Sequence, residues 1–454
     1  MNTTEEYSKF LVATNFEDLP AKETERFKSR FLDCIGVAAA GIQAPGIPGA
    51  IDLFKKIGGL MESSVLFTSD RLPADKASFI NSMMMRSFDF EPCGSENPDY
   101  TTGPAHISGS TVPCTLAMSE MVHASGKQAI CANVLGDDLA ARLCQATGFN
   151  FHQGWDNTGT VTGFGSTAIA AKLLKLDEKT CRDAFGIDIH TLGGSFDGVK
   201  DGVLSFKVPH GLAGMNGIFS ARLAQAGITG IEDAFTGRHG YFNLYGEGNH
   251  PEIVMQDLGK FYYSDGGVKP WPCCRITHSP IQSAIKLVKE HSINTRDIMK
   301  VVLHLHDQGD LVDRPFKPIA PVLMFNVRYV VAVALTQGAV LPIHHSDKYQ
   351  LDPEIIRLAT CTDVVYDRKQ EHALSSDTEL FMKDGTVYEN HIYQPIGDFK
   401  ADPMTREQLL DKFYSNMDYS GFVSKDRADK IVDAIDHFED IEDVGDFIAL
   451  LAGN

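Results

Sequence analysis

Residues 269–278 read KPWPCCRITH, which sets a lysine, two adjacent cysteines, an arginine and a histidine into one proline-punctuated segment of a strongly acidic chain. Lys and Arg in such a segment can hold carboxylates through charge-assisted hydrogen bonds, while His and Cys can move protons. Three more regions mix cationic or proton-transferring side chains with Gly and Pro. They are FDFEPCG (88–94) with GPAHISGS (103–110), GWDNTGT (154–160) and SFKVPHG (205–211). In extended backbone Cys273 and Cys274 point to opposite sides, so only one can face a given pocket.

Other chemistries are poorly served. Gly159, Gly163 and Gly165 lack the spacing of a dinucleotide fingerprint, and no G-x-x-x-x-G-K-[ST] occurs. The nine cysteines include no C-x-x-C pair and sit in apolar contexts such as FLDCIGV, as reduced, packed thiols do. No disulfide framework and no metal site are expected. His304 and His306 share a strand face and His344 adjoins His345, but neither pair has a third ligand at a familiar spacing. A formal net charge of -19 argues against nucleic acid or an anionic membrane as partner. The N-terminus has no basic segment followed by an apolar run, so a cytoplasmic protein is expected.

The elements that must position these groups are mostly helical up to about residue 262. Phe27, Phe31, Ile35 and Ala38 recur at three- and four-residue steps, and similar spacing runs through PADKASFINSMMMRSF, GFGSTAIAAKLLKL and GLAGMNGIFSARLAQAG. Their many Gly and Ala residues let helix axes approach closely. Beyond 264 the period changes. KVVLHLH alternates as a strand does, and Asp384-Gly385 between two alternating runs predicts a hairpin with a type I′ turn. After residue 395, Thr405 and Gln408 form a capping box ahead of renewed helix. The expected fold is mainly α: a helical domain over 1–264, a smaller α+β domain over 265–395, and helices over 396–454 that rejoin the first.

In combination, KPWPCCRITH, SFKVPHG with GLAGMNGIFSARLAQAGITG, GWDNTGTVTGFGSTAIAAKLL, the FDFE and HISGS pair, and GDFKADPMTREQLLDKF resemble the MmgE/PrpD family along nearly the whole chain. That family includes 2-methylcitrate dehydratases, cis-aconitate decarboxylases and an iminodisuccinate epimerase. The resemblance implies a homodimer with a cofactor-free site in a cleft between the helical domain and an α+β lid. It places Asp89 and His106 in the cleft, Lys207 and His210 at the K-x-x-H motif, and Lys269, Arg275 and His278 in the fourth motif. Tyr329 matches a family tyrosine, and Cys274 stands where some members have a cleft histidine. Asp156 replaces an imidazole usual before the Thr-Gly-Thr turn; His152 is a substitute if that segment is helical. The segment 92–103 reads as a loop over the site.

The implied reaction is removal of a proton next to a carboxylate of a small polycarboxylic acid, with negative charge developing on an enolate-like system. His106 and Lys207 are expected to be central, with Asp89, Asp156 and Cys274 assisting. Lys269, Arg275, His210, His278 and Tyr329 are expected to bind substrate. A hydro-lyase is the leading expectation; an epimerase of a dicarboxylate and a non-catalytic metabolite binder are the alternatives.

Overall fold

A computed structural model describes residues 2–94, 104–149, 153–246, 249–263 and 265–453. It is mainly α. Helix Ala21–Gly41 buries Phe27, Phe31, Ile35 and Ala38, as their spacing predicts. Helix Asn157–Leu173 packs between Gly126–Thr147 and Val208–Gln225, and Ala74–Arg86 packs on Val208–Gln225 and Ser108–Val122. Small residues at these crossings set the spacing. A Cβ at Gly217 would stand 2.6 Å from the backbone nitrogen of Thr167. Any side chain there forces the helices apart.

Among the described residues, strands longer than two residues lie only between 298 and 392. They form one four-stranded sheet in the order Thr362–Val365, Ile298–Leu305, Ser376–Met382, Val387–Ile392; the first pair is parallel and the others antiparallel. Helix His278–His291 packs on the last two strands and helix Val327–Gln337 packs on it in turn. The predicted hairpin forms, but its turn is not type I′. Gly385 alone takes a left-handed φ of 88°, and Met382 N–H reaches Thr386 O. This is a three-residue loop closed by a glycine bulge, which asks no positive φ of Asp384.

The capping box at Thr405 and Gln408 opens helix Arg406–Ser420, which packs back on Ala21–Gly41. Helix Val444–Leu451 packs on Ser108–Val122. All nine cysteines are free thiols. Among the described residues no helix is long and apolar enough to cross a membrane.

One buried acid marks where three helices meet. Asp188, at the end of helix Glu178–Asp188, accepts from Thr191 Oγ1 at 2.9 Å and Ser220 Oγ at 3.3 Å, and the Thr167 side chain also faces the carboxyl. Burial pushes its pKa up to about 6. A carboxyl raised in the folded state stabilises the fold below its unfolded pKa and ceases to do so as pH rises through about 6. Asp188→Asn keeps an acceptor and removes the buried charge. We expect it to gain roughly 1–3 kcal/mol at pH 8 in urea unfolding, with the gain vanishing below about pH 4.

Candidate active site

The site is built on a strained turn. Helix Ala74–Arg86 ends at Arg86, and the chain reverses at Asp89, whose φ of 50° is left-handed. Such a conformation in a non-glycine residue is held only by its surroundings. Here Asp89 N–H bonds Arg86 O at 3.0 Å, and Lys269 Nζ donates to Asp89 O at 2.7 Å. The turn brings two buried carboxylates to the Arg86 guanidinium: Asp89 in direct contact, and Glu91 Oε1 at 3.0 Å. Lys269 Nζ also lies 3.0 Å from Asp89 Oδ2.

His106 arrives by a different route. Gly94 pairs with Gly266 on one side and, through two 2.8 Å backbone bonds, with Ala105 on the other. His106 N–H then donates to Thr158 Oγ1 at 3.0 Å. The pairings fix the ring so that Nδ1 stands 2.9 Å from Glu91 Oε1. Arg86 Nη1, a donor, stands 3.2 Å from the same Nδ1, but its two hydrogens go to Asp89 and Glu91; the shorter contact to the ionised Glu91 therefore assigns the proton to Nδ1 and leaves Nε2 basic. Arg86, His106 and Lys269 together hold Glu91 well below the usual carboxylate range despite burial. Desolvation, then the charges of Arg86 and Lys269, bring His106 down to about 3. It is therefore neutral at pH 7.

Asp156 caps helix Asn157–Leu173, accepting from Thr158 N–H at 2.9 Å and Gly159 N–H at 3.5 Å. Burial raises its pKa. Arg275 Nη2 lies 3.3 Å from Asp398 Oδ2. Cys274 is buried and its thiol is pushed up, so it stays protonated at neutral pH.

One cavity is lined by Arg86, Asp89, His106, Asp156, Cys274 and Arg275. Phe196, Val199, Leu311, Phe325 and Leu374 add apolar lining. The remaining expected site residues do not line it. Lys207 is buried, its ammonium donates to Pro45 O at 2.9 Å, and desolvation lowers its pKa to about 8. Lys269 stands behind Asp89. His210 is fully buried with Nε2 3.7 Å from Glu91 Oε1, and burial holds it neutral. His278 Nε2 is 3.2 Å from Cys273 O, and the Tyr329 hydroxyl donates to His344 O. His152 and most of the expected loop, 95–103, lie outside the described residues.

Sequence reasoning named neither Arg86 nor Glu91. The one available signal was their placement three before and two after Asp89, around a turn that only the fold reveals. Glu91, His106 and His210 have ligand atoms within 4.8 Å of one another, a spacing that a metal ion could use. However, the Arg86 guanidinium already neutralises Glu91 at 3.0 Å, and a dication there would face it. The arrangement fits a charge-paired imidazole better than a metal centre.

The chain belongs to the MmgE/PrpD family: the MmgE/PrpD N-terminal domain matches residues 5–254 and the MmgE/PrpD C-terminal domain matches 271–437. Among its relatives is a cis-aconitate decarboxylase-like protein of Aspergillus oryzae, 25% identical over 491 residues covering 100% of this chain and 98% of that protein. The cis-aconitate decarboxylase of Homo sapiens is 24% identical, covering 99% and 94%. That of Aspergillus terreus is 24% identical, covering 96% and 93%.

Proposed function

We propose that this chain is a lyase acting on a small polycarboxylic acid without a cofactor, in which His106 moves the proton at the carbon beside a carboxylate. The observation that carries the reading is a neutral imidazole oriented by Glu91, in a cavity shared with Arg86 and Arg275. A guanidinium can hold a substrate carboxylate, and the cations stabilise the enolate-like charge that develops when the C–H bond breaks. Nε2 accepts that proton. The imidazolium formed is then stabilised by Glu91, and by the negative charge arriving with the substrate.

Elimination needs a second group to protonate the departing hydroxide. Asp156 lines the same cavity, and its raised pKa favours the protonated form that can do so. The relatives support decarboxylation as a second reading. There the breaking C–CO2 bond leaves its electron pair on carbon, which then takes a proton from Asp156; a carboxylate beside the apolar lining loses hydration that neutral CO2 does not need. Return of a proton to the opposite face, an epimerisation, would use the same two groups.

The test is incubation of the purified chain in D2O with cis-aconitate, methylcitrate and iminodisuccinate in turn, followed by NMR. New alkene from methylcitrate indicates elimination, loss of CO2 from cis-aconitate indicates decarboxylation, and deuterium in recovered substrate alone indicates epimerisation. No turnover and no exchange with any polycarboxylate rejects the reading.

A further inference from the structure

Apart from Asp398, which pairs with Arg275, the segment GDFKADPMTREQLLDKF has no part in the chemistry above, yet it touches the strained turn. Helix Arg406–Ser420 points Lys412 inward, where the side chain is buried. Its ammonium lies 2.6 Å from Asp33 Oδ1, donates to Phe90 O at 2.9 Å, and stands 3.9 Å from the centroid of the Phe90 ring. The preceding carbonyl, that of Asp89, is taken by Lys269. Two buried ammonium groups, from residues far apart in the chain, thus hold successive carbonyls of the turn.

We propose that Lys412 is a positioning residue for the Asp89–Glu91 turn and, through Glu91, for His106. A buried lysine is a costly way to fill space; a leucine or methionine would pack there without desolvating a charge. The ammonium supplies what an apolar side chain cannot, a donor for the Phe90 carbonyl. The φ of 50° at Asp89 makes that donor matter. If the Phe90 carbonyl is released, the turn can relax towards negative φ. Both carboxylates then rotate, and the 2.9 Å contact that keeps the proton on His106 Nδ1 is lost. The carbonyl on which the geometry depends comes from one end of the chain and its donor from the other.

The competing explanation is that Lys412 only neutralises Asp33. The two are separated by Lys412→Met, Lys412→Arg and the double variant Asp33→Asn/Lys412→Met, in which no unpaired charge remains. Nitrogen-15 NMR of histidine-labelled protein reads the His106 tautomer, with His106→Asn to assign the signal. Positioning predicts that the double variant unfolds close to the wild-type temperature but shows a mixture of His106 tautomers, and that Lys412→Arg restores the single Nδ1–H form. With substrate, the double variant should lose about tenfold to 100-fold in kcat with KM changed by less than about threefold. A double variant with the wild-type His106 spectrum and wild-type kcat overturns the proposal. The kcat arm rests on the proposed lyase reading, whereas the tautomer arm needs no substrate. A chain that turns over no polycarboxylate, yet shows the spectral change, loses that reading and keeps this one.

Discussion

Glu91→Gln lowers kcat on the polycarboxylate substrate by about 10² to 10³-fold while the protein remains folded. The exchange conserves volume and leaves a carbonyl oxygen near His106 Nδ1, so packing is not what changes. What changes is charge. The carboxylate faces Nδ1 at 2.9 Å and favours the imidazolium that forms when Nε2 takes a proton; an amide offers roughly half of that hydrogen bond and none of the Coulomb term. The amide can also flip and present its NH2 to Nδ1, which would move the histidine proton to Nε2 and remove the base. Stability should respond with a definite sign. Glu91 is depressed in the fold, so it contributes stability that is present above its unfolded pKa and lost as pH falls through its folded pKa. Glu91→Gln lacks that contribution and should therefore show a shallower loss of stability on acidification in urea titrations. A variant with wild-type kcat and a wild-type acid limb shows that the Glu91–His106 contact has no chemical role.

The residues that line the cavity differ in how legible they were, and the reason is geometric. Helix periodicity exposed the frame, because Phe27, Phe31, Ile35 and Ala38 must share a face whatever they pack against. The sheet hairpin was equally local, and only its turn type depended on one dihedral at Asp384. Asp89, His106, Asp156, Cys274 and Arg275 meet at one cavity although nothing in their separations requires it; the likeness to a family grouped them, not spacing. Lys207 shows the limit of that route. It ends the short 3-10 turn Leu204–Lys207, and the direction of its side chain follows from Pro45 O, which lies 162 positions away in the chain. Arg86 was hidden for the opposite reason. At the end of SMMMR it resembles an ordinary helix-terminal arginine, which favours the C-terminal dipole from the surface. Only the left-handed reversal at Asp89 turns two carboxylates back onto it.

That reversal makes Arg86→Met the most damaging single change expected for the fold. The guanidinium touches Asp89 and Glu91, and the rings of Phe206 and Phe325 lie 5.3 and 5.8 Å from it. Methionine fills much of the volume between those rings, so the apolar contacts are largely conserved. It leaves two buried carboxylates with Lys269 as their nearest cation. Removing one member of a buried, hydrogen-bonded charge cluster costs about 3 to 5 kcal/mol, chiefly through the charge left uncompensated. We expect that loss in urea unfolding at pH 7. Its pH dependence separates this cause from simple misfitting. Without Arg86 the folded-state pKa of Glu91 rises, and a raised carboxyl destabilises the fold only where it is ionised. The deficit against wild type should be largest at pH 7 and above and should narrow steadily towards pH 4, as the variant takes up protons that the wild-type fold refuses. Arg86→Met/Glu91→Gln, which removes one of the two stranded charges, should recover part of the loss at pH 7. A deficit that is constant from pH 8 to pH 4, or a double variant no better than the single, would mean that Arg86 supports the site by packing and that its charge is incidental.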